Sequence, residues 1–216
     1  MEEKNKTNVE YWVSIIHNAP PAYRELYAEE EKFLRKNIPK GAKVLDIGCG
    51  DGRSLRSIEH IAKEITGIDH DDKAIELAKE NFRNNPIAKF LKAEANKLPF
   101  QKNSFDSVIC IGTFTNFGPI KDEALKEMKR VVKEKGDIIL LAYSEKALKE
   151  RLQLYKNHNV PIKKLEGSTV YFEDSVGDNI SEQFSKEELK KIFDKHSLKI
   201  TDLKETKIAY LCKLTK

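Results

Sequence analysis

Short apolar runs alternate along the chain with longer stretches in which apolar residues recur every three or four positions. Val44, Leu45 and Ile47 make the first run, bounded by Gly41 on one side and by glycines on the other. Glu64 to Ile68, Ile87 to Lys92, Ser107 to Ile111 and Asp137 to Ala142 follow. Runs this short and this apolar read as strands covered on both faces, as in a parallel sheet. Between them, helical periodicity predicts helices over Ala22 to Asn37, Arg53 to Ile61, Asp72 to Asn84 and Asp122 to Lys133. Asp71 is placed to cap the helix from Asp72, and Asn84-Asn85-Pro86 breaks it. Strands that alternate with helices in this way predict an α/β fold.

The pattern changes after Ala142. Glu145 to Asn157 predicts a helix, and Val160 to Ile180 an insertion with a short β run at Thr169 to Phe172. Ser185 and Glu188 form a capping box that opens another helix, with Phe184 positioned to staple onto Leu189. Two strands, Leu198 to Leu203 and Ile208 to Leu214, complete the set. Ahead of everything, Asn8 to His17 carries Tyr11, Trp12, Val13, Ile15 and Ile16, enough apolar mass to dock before Pro20-Pro21.

The candidate chemistry begins where the first strand ends. Asp46 is followed by Gly48, Gly50 and Gly52, which allow a sharp turn and a close approach of backbone to ligand. A helix opens at Arg53, so its free N–H groups face that loop. A tight strand-to-helix turn uses glycine in the same way, so the loop alone does not decide the matter. The second strand ends in Asp69, about twenty residues on, where a carboxylate can accept both hydroxyls of a ribose. A dinucleotide fingerprint, G-x-G-x-x-G, would require glycine at the position of Arg53.

With Ala93-Glu94-Ala95-Asn96-Lys97-Leu98-Pro99-Phe100 and Phe105-Asp106-Ser107-Val108-Ile109 added, the stretch from Lys40 to Ala142 resembles the class I S-adenosylmethionine-dependent methyltransferases. The acid-x-Gly-x-Gly-x-Gly loop of that family is matched by Asp46 to Gly52. The resemblance implies a Rossmann-like, mostly parallel sheet of seven strands with helices on both faces and an antiparallel last strand. It implies S-adenosylmethionine as cofactor, leaving S-adenosylhomocysteine, with Asp46, Gly48, Cys49, Gly50 and Gly52 in the loop. Asp69 would bind the ribose and Glu94 the adenine edge, with His70, Ala95 and Ile111 also among the cofactor-binding residues. Aspartate is the commoner acid at the position of Glu94, and Pro-Gly-Gly commonly stands where this chain has Lys135-Gly136-Asp137.

The acceptor is less legible. The loop Gly112 to Gly118 lacks the N-P-P-Y and D-P-P-Y motifs of base methylation and the Pro-Cys pair of cytosine chemistry, and no acids stand where catechol-type enzymes hold magnesium. No metal is expected. Asn116, Tyr11, Tyr27 and Tyr171 are the acceptor-side candidates. The implied organisation is one domain, 1–216: a helical cap (1–39), a cofactor-binding core (40–143), an acceptor lid (144–183) and a closing helix with two strands (184–216). The expected activity is methyl transfer to nitrogen, sulfur, oxygen or carboxylate of a small molecule. A protein or tRNA methyltransferase, or a catalytically silent cofactor-binding protein, is the alternative.

Composition narrows this further. At 216 residues the chain can bury a full core without disulfides or metal. Its net charge of +4 is spread over 39 basic and 35 acidic residues without a dense basic block, so no nucleic-acid partner is implied. Cys49, Cys110 and Cys212 are far apart and form no C-x-x-C pair, which fits a reducing compartment. No apolar run of about 18 residues exists, and Met1 to Lys6 is charged. The expectation is a cytoplasmic protein with no membrane association.

Overall fold

The structure, a computed structural model, describes residues 19–176 and 180–216. Its centre is a seven-stranded sheet in the order β3-β2-β1-β4-β5-β10-β9. The strands are β1 (Lys43–Ile47), β2 (Glu64–Asp69), β3 (Ala88–Lys92), β4 (Phe105–Ile111), β5 (Val132–Tyr143), β9 (Lys199–Glu205) and β10 (Ala209–Thr215). Neighbours among β1 to β5 pair in parallel, whereas β10 is antiparallel to both β5 and β9. Strand order reverses between β1 and β4, which places a crevice at the carboxyl ends of those two strands.

Both faces of the sheet are covered, because successive residues of each strand point to opposite sides. Ile109 of β4 and Ile139 and Leu141 of β5 join one buried cluster with Tyr23, Leu26 and Leu34 of α1 (Pro21–Asn37). Leu55 of α2 (Arg53–Arg56) and Ile75 and Ala78 of α3 (Asp72–Asn81) lie in the same cluster. Val108, Cys110, Ile138 and Leu140 face the other way, against α4 (Lys121–Val131) through Leu125 and Met128. Leu189 and Phe193 of α6 (Lys186–Lys195) share that second layer. The Asp71 cap and the Ser185–Glu188 capping box are both present.

Several boundaries differ from those the sequence predicts. The helix expected over Arg53 to Ile61 stops at Arg56, where the Ser57 hydroxyl donates to the Ser54 carbonyl and the chain passes into turns. The Asp72 helix ends at Asn81, with Phe82 taking up the cap position. β5 starts at Val132, five residues before the expected Asp137, and the pairing with β4 shifts register between Phe105 and Ser107. Gly136 makes that possible, since a Cβ there would sit 2.6 Å from the Asp106 carbonyl oxygen.

The segment after β5 is more ordered than its sequence announces. A 3₁₀ turn, Glu145–Ala147, leads into α5 (Leu148–Asn157). An antiparallel three-stranded sheet then follows: β6 (Ile162–Glu166), β7 (Thr169–Phe172) and β8 (Ile180–Ser181). Only β7 was expected. Tyr11 and Trp12 lie outside the described residues.

Candidate functional site

The glycine loop is held from three sides. Gly48 and Cys49 donate their N–H groups to the Ile68 carbonyl at 2.8 and 2.9 Å. Gly50 donates to Asp69 Oδ2 at 3.0 Å, while Thr113 Oγ1 donates to the Gly48 carbonyl at 3.0 Å. Asp69 Oδ1 accepts the N–H of Asp71 at 3.1 Å, so this carboxylate ties the loop to the end of β2 and still has lone pairs to offer. Gly48 adopts φ +71, and a Cβ there would fall 2.3 Å from Thr113 Cγ2. Its close approach is therefore to the next strand's loop. A Cβ on Gly50, at φ +54, would meet nothing within 4 Å, so that side of the loop is open.

A cleft of about 340 Å³ lies beside this loop, at the low end of the volumes typical of small-molecule sites. Of the expected cofactor residues, Gly48, Asp69, His70, Glu94 and Ala95 line it, as does the acceptor candidate Asn116. Ile47, Ile68, Phe117 and Ile120 supply apolar walls. Carboxylates at the ends of β2 and β3 with apolar surface between them suit a nucleoside: hydroxyls and an amino group at the edges, a flat ring in the middle. The residues present fit the implied cofactor.

The remaining candidates lie elsewhere. Cys49, Gly50, Gly52 and Ile111 are not among the residues lining the cleft. Gly52 sits under the Phe82 ring, and Ile111 belongs to the core. Cys49 is buried, and burial pushes its thiol well above the usual range, which disfavours the thiolate. Tyr171 stands beside Lys164, whose ammonium lies 4.3 Å from its ring centre, and it pairs across β7 and β8 with Ile180, which lines the cleft. Tyr27 is half-buried under the Arg53 guanidinium, 4.4 Å from its ring centre. Burial raises the Tyr27 hydroxyl above its ordinary pKa.

Asp46 is the most unusual of them. It is 1% exposed, and neither carboxyl oxygen has a hydrogen-bond partner among the described residues. Burial, reinforced by Glu30 and opposed by Arg53, pushes its pKa up to about 8. Glu30 itself is buried on α1 and pairs with Arg53 at 2.9 Å.

The family model described as "Methyltransferase domain" matches residues 45–140. Demethylmenaquinone methyltransferase of Staphylococcus aureus is 34% identical over 164 residues, covering 70% of this chain and 68% of the relative. The chain belongs to the class I S-adenosylmethionine-dependent methyltransferases. A methyltransferase from Aquifex aeolicus superposes with a TM-score of 0.68 at 20% identity, over 94% of this chain and 96% of that one. A Pyrococcus horikoshii protein gives 0.72 at 25% identity, over 91% and 92%. Both share this methyltransferase's fold, and its cofactor is S-adenosylmethionine.

Sequence reasoning missed part of the site. Thr113, Pro119, Ile120 and Ile180 line the cleft of this methyltransferase without having been singled out. Thr113 to Ile120 follow a strand already placed at the cleft, and that position was the available signal. Ile180 carries no such mark, because the small sheet that brings it there was not foreseen.

Proposed function

We propose that this methyltransferase acts on a small organic molecule, which enters between the loop after β4 and a lid formed by residues 144–183. The single observation carrying the acceptor class is the relationship to the Staphylococcus enzyme, whose name specifies a small-molecule acceptor. The same reading goes with a cytoplasmic setting, in keeping with three cysteines that remain free thiols. Among the described residues no helix is long and apolar enough to cross a membrane.

In this reading Asp69 holds the ribose hydroxyls and Glu94 the adenine edge, while the backbone from Gly48 to Gly52 closes around the amino-acid end. S-adenosylmethionine, when bound, supplies a methyl group already activated by its sulfonium. What the chain must add is placement, holding a nucleophile about 3 Å from the methyl carbon and keeping water out. Ile120 and Ile180 give the acceptor side an apolar wall, and Asn116 offers a polar contact for orientation. Asp69, His70 and Glu94 are the ionisable groups of the cleft, and all three stand on the nucleoside side. Among the described residues lining the acceptor side none is a general base, which favours nucleophiles that bring their own electron pair at neutral pH.

The test is a thermal-shift titration with S-adenosylmethionine, S-adenosylhomocysteine, NADH and NADPH. A ligand at a hundred times its dissociation constant stabilises the fold by about 2.7 kcal/mol. The two sulfur compounds are expected to do so and the nicotinamides to leave the transition unmoved. A panel of amines, thiols, phenols, quinols and carboxylates then reports S-adenosylhomocysteine release. Cofactor binding with no turnover of any small acceptor would refute the acceptor class.

A further inference from the structure

Two guanidinium groups stand near the carboxyl edge of the sheet, Arg53 partly exposed and Arg151 buried, and their surroundings differ. Arg53 has the Glu30 carboxylate at 2.9 Å. Arg151, on α5, is 4% exposed and has no carboxylate in an ion pair with it among the described residues. Its Nη1 donates to the Tyr23 hydroxyl at 3.3 Å, and its Nη2 to the Ser181 hydroxyl at 2.9 Å and to that of Tyr155. Its Cζ lies 3.6 Å from the centre of the Tyr143 ring. Among the described residues Nε has no hydrogen-bond partner, and the side chains that touch this cation are uncharged hydroxyls and a tyrosine ring.

A buried charge is costly unless it is paired, and a chain with 35 acids was not short of partners. Hydroxyls lower the cost without cancelling the charge. The position of the cation indicates what cancels it. Tyr143 ends β5, and its hydroxyl is 4.0 Å from where a Cβ on Gly112 would lie, in the loop whose Thr113 and Asn116 line the cleft. Ser181 follows Ile180, which lines the same cleft. The uncompensated charge thus stands just behind the acceptor side, across β1 and β4 from Asp69 and Glu94.

We propose that Arg151, held by Tyr23, Tyr155 and Ser181, makes the acceptor site selective for a molecule that presents an anionic oxygen, as carboxylate or as ring enolate. The proposal rests on the small-molecule methyltransferase reading above and adds the charge of the substrate to it. From behind the cleft wall its charge, poorly screened by its buried surroundings, favours either oxyanion through the field it projects into the site. The enzyme would bind the ionised form of its acceptor and discriminate against an uncharged analogue of the same shape.

Calorimetry on the protein saturated with S-adenosylhomocysteine tests this with two matched pairs. One is 2-naphthoate against 2-naphthamide, and the other 2-hydroxy-1,4-naphthoquinone, ionised at neutral pH, against its 2-methoxy analogue. The charged member of at least one pair is expected to bind about tenfold tighter or more. The pair that responds tells carboxylate from enolate. Arg151→Met is expected to erase the preference while leaving affinity for S-adenosylhomocysteine unchanged, and Arg151→Lys to restore part of it. Equal affinity within both pairs in the wild type, which needs no variant to fold, would overturn the proposal. So would an Arg151→Met protein that loses affinity for S-adenosylhomocysteine instead. A wild type that does not bind S-adenosylhomocysteine would overturn the underlying reading and the proposal together.

Discussion

Replacing Asp46 by asparagine isolates a single buried carboxyl. In the folded protein Asp46 takes up its proton with a pKa of about 8, against an ordinary 3.8. Between those values the folded chain holds a proton that the unfolded chain has released, so stability falls as pH rises. Each pH unit inside the window costs up to ~1.4 kcal/mol. From pH 5 to pH 7 the ceiling is about 2.7 kcal/mol, and relaxation around the charged form lowers it, so about 1.5–2.5 kcal/mol is expected. For a chain of this size that widens the gap in Tm between variant and wild type by about 3–10 °C. The assay is thermal unfolding of both ligand-free proteins at pH 5, 6 and 7. The buried amide of the variant carries its own cost, but that cost does not vary with pH, and other titrating groups cancel in the difference. The wild type should lose ground to Asp46→Asn steadily as pH rises. A difference constant across the three pH values would refute the argument that Asp46 is protonated in the free protein.

Three further substitutions probe separate links. Gly48→Ala forces a side chain into φ +71 and against Thr113, and should cost about 2–4 kcal/mol in urea unfolding; a wild-type midpoint would discount the contact. Asp69→Ala removes both the proposed ribose contact and the anchor of Gly50, and should weaken S-adenosylhomocysteine binding by about 1–3 kcal/mol in calorimetry. Unchanged affinity would remove Asp69 from the site. Ser185→Ala opens the capping box of α6 and should cost ~1 kcal/mol without touching cofactor affinity. Because the Ser185 N–H and hydroxyl hold the Glu188 carboxyl below its usual range, that loss should shrink as pH falls and Glu188 protonates.

What could be read from the sequence was whatever depends on local constraint. Positive φ at Gly48 and Gly50 is a requirement of backbone geometry, and it shows as glycine in the sequence. The strands of the parallel sheet show as apolar runs because both of their sides are covered. β6 failed to show for the opposite reason: all five of its residues are exposed, so Ile162 to Glu166 carries neither alternation nor an apolar run. The surroundings of Arg151 were illegible in another way. Its partner Tyr23 lies 128 positions away, and nothing near either residue announces the other. Tyr171 was legible only through its place in the insertion; the pairing of β7 with β8 that sets it opposite Ile180 of the cleft, with its ring beside Lys164, left no mark in the sequence.

The place of β10 in the sheet has a consequence for how the molecule is made. This strand follows the other six strands of the sheet in the described chain, yet it lies inside the sheet and links β9 to β5. A nascent chain on the ribosome can assemble the nucleoside half, β1 to β4, while β5 waits with one open edge and β9 has no neighbour. Completion therefore comes as one late event in which the arriving strand joins both. Until then the apolar edge of β5 is the surface on which a chaperone would act, and losing seven residues, Ala209–Thr215, would leave two unpaired edges.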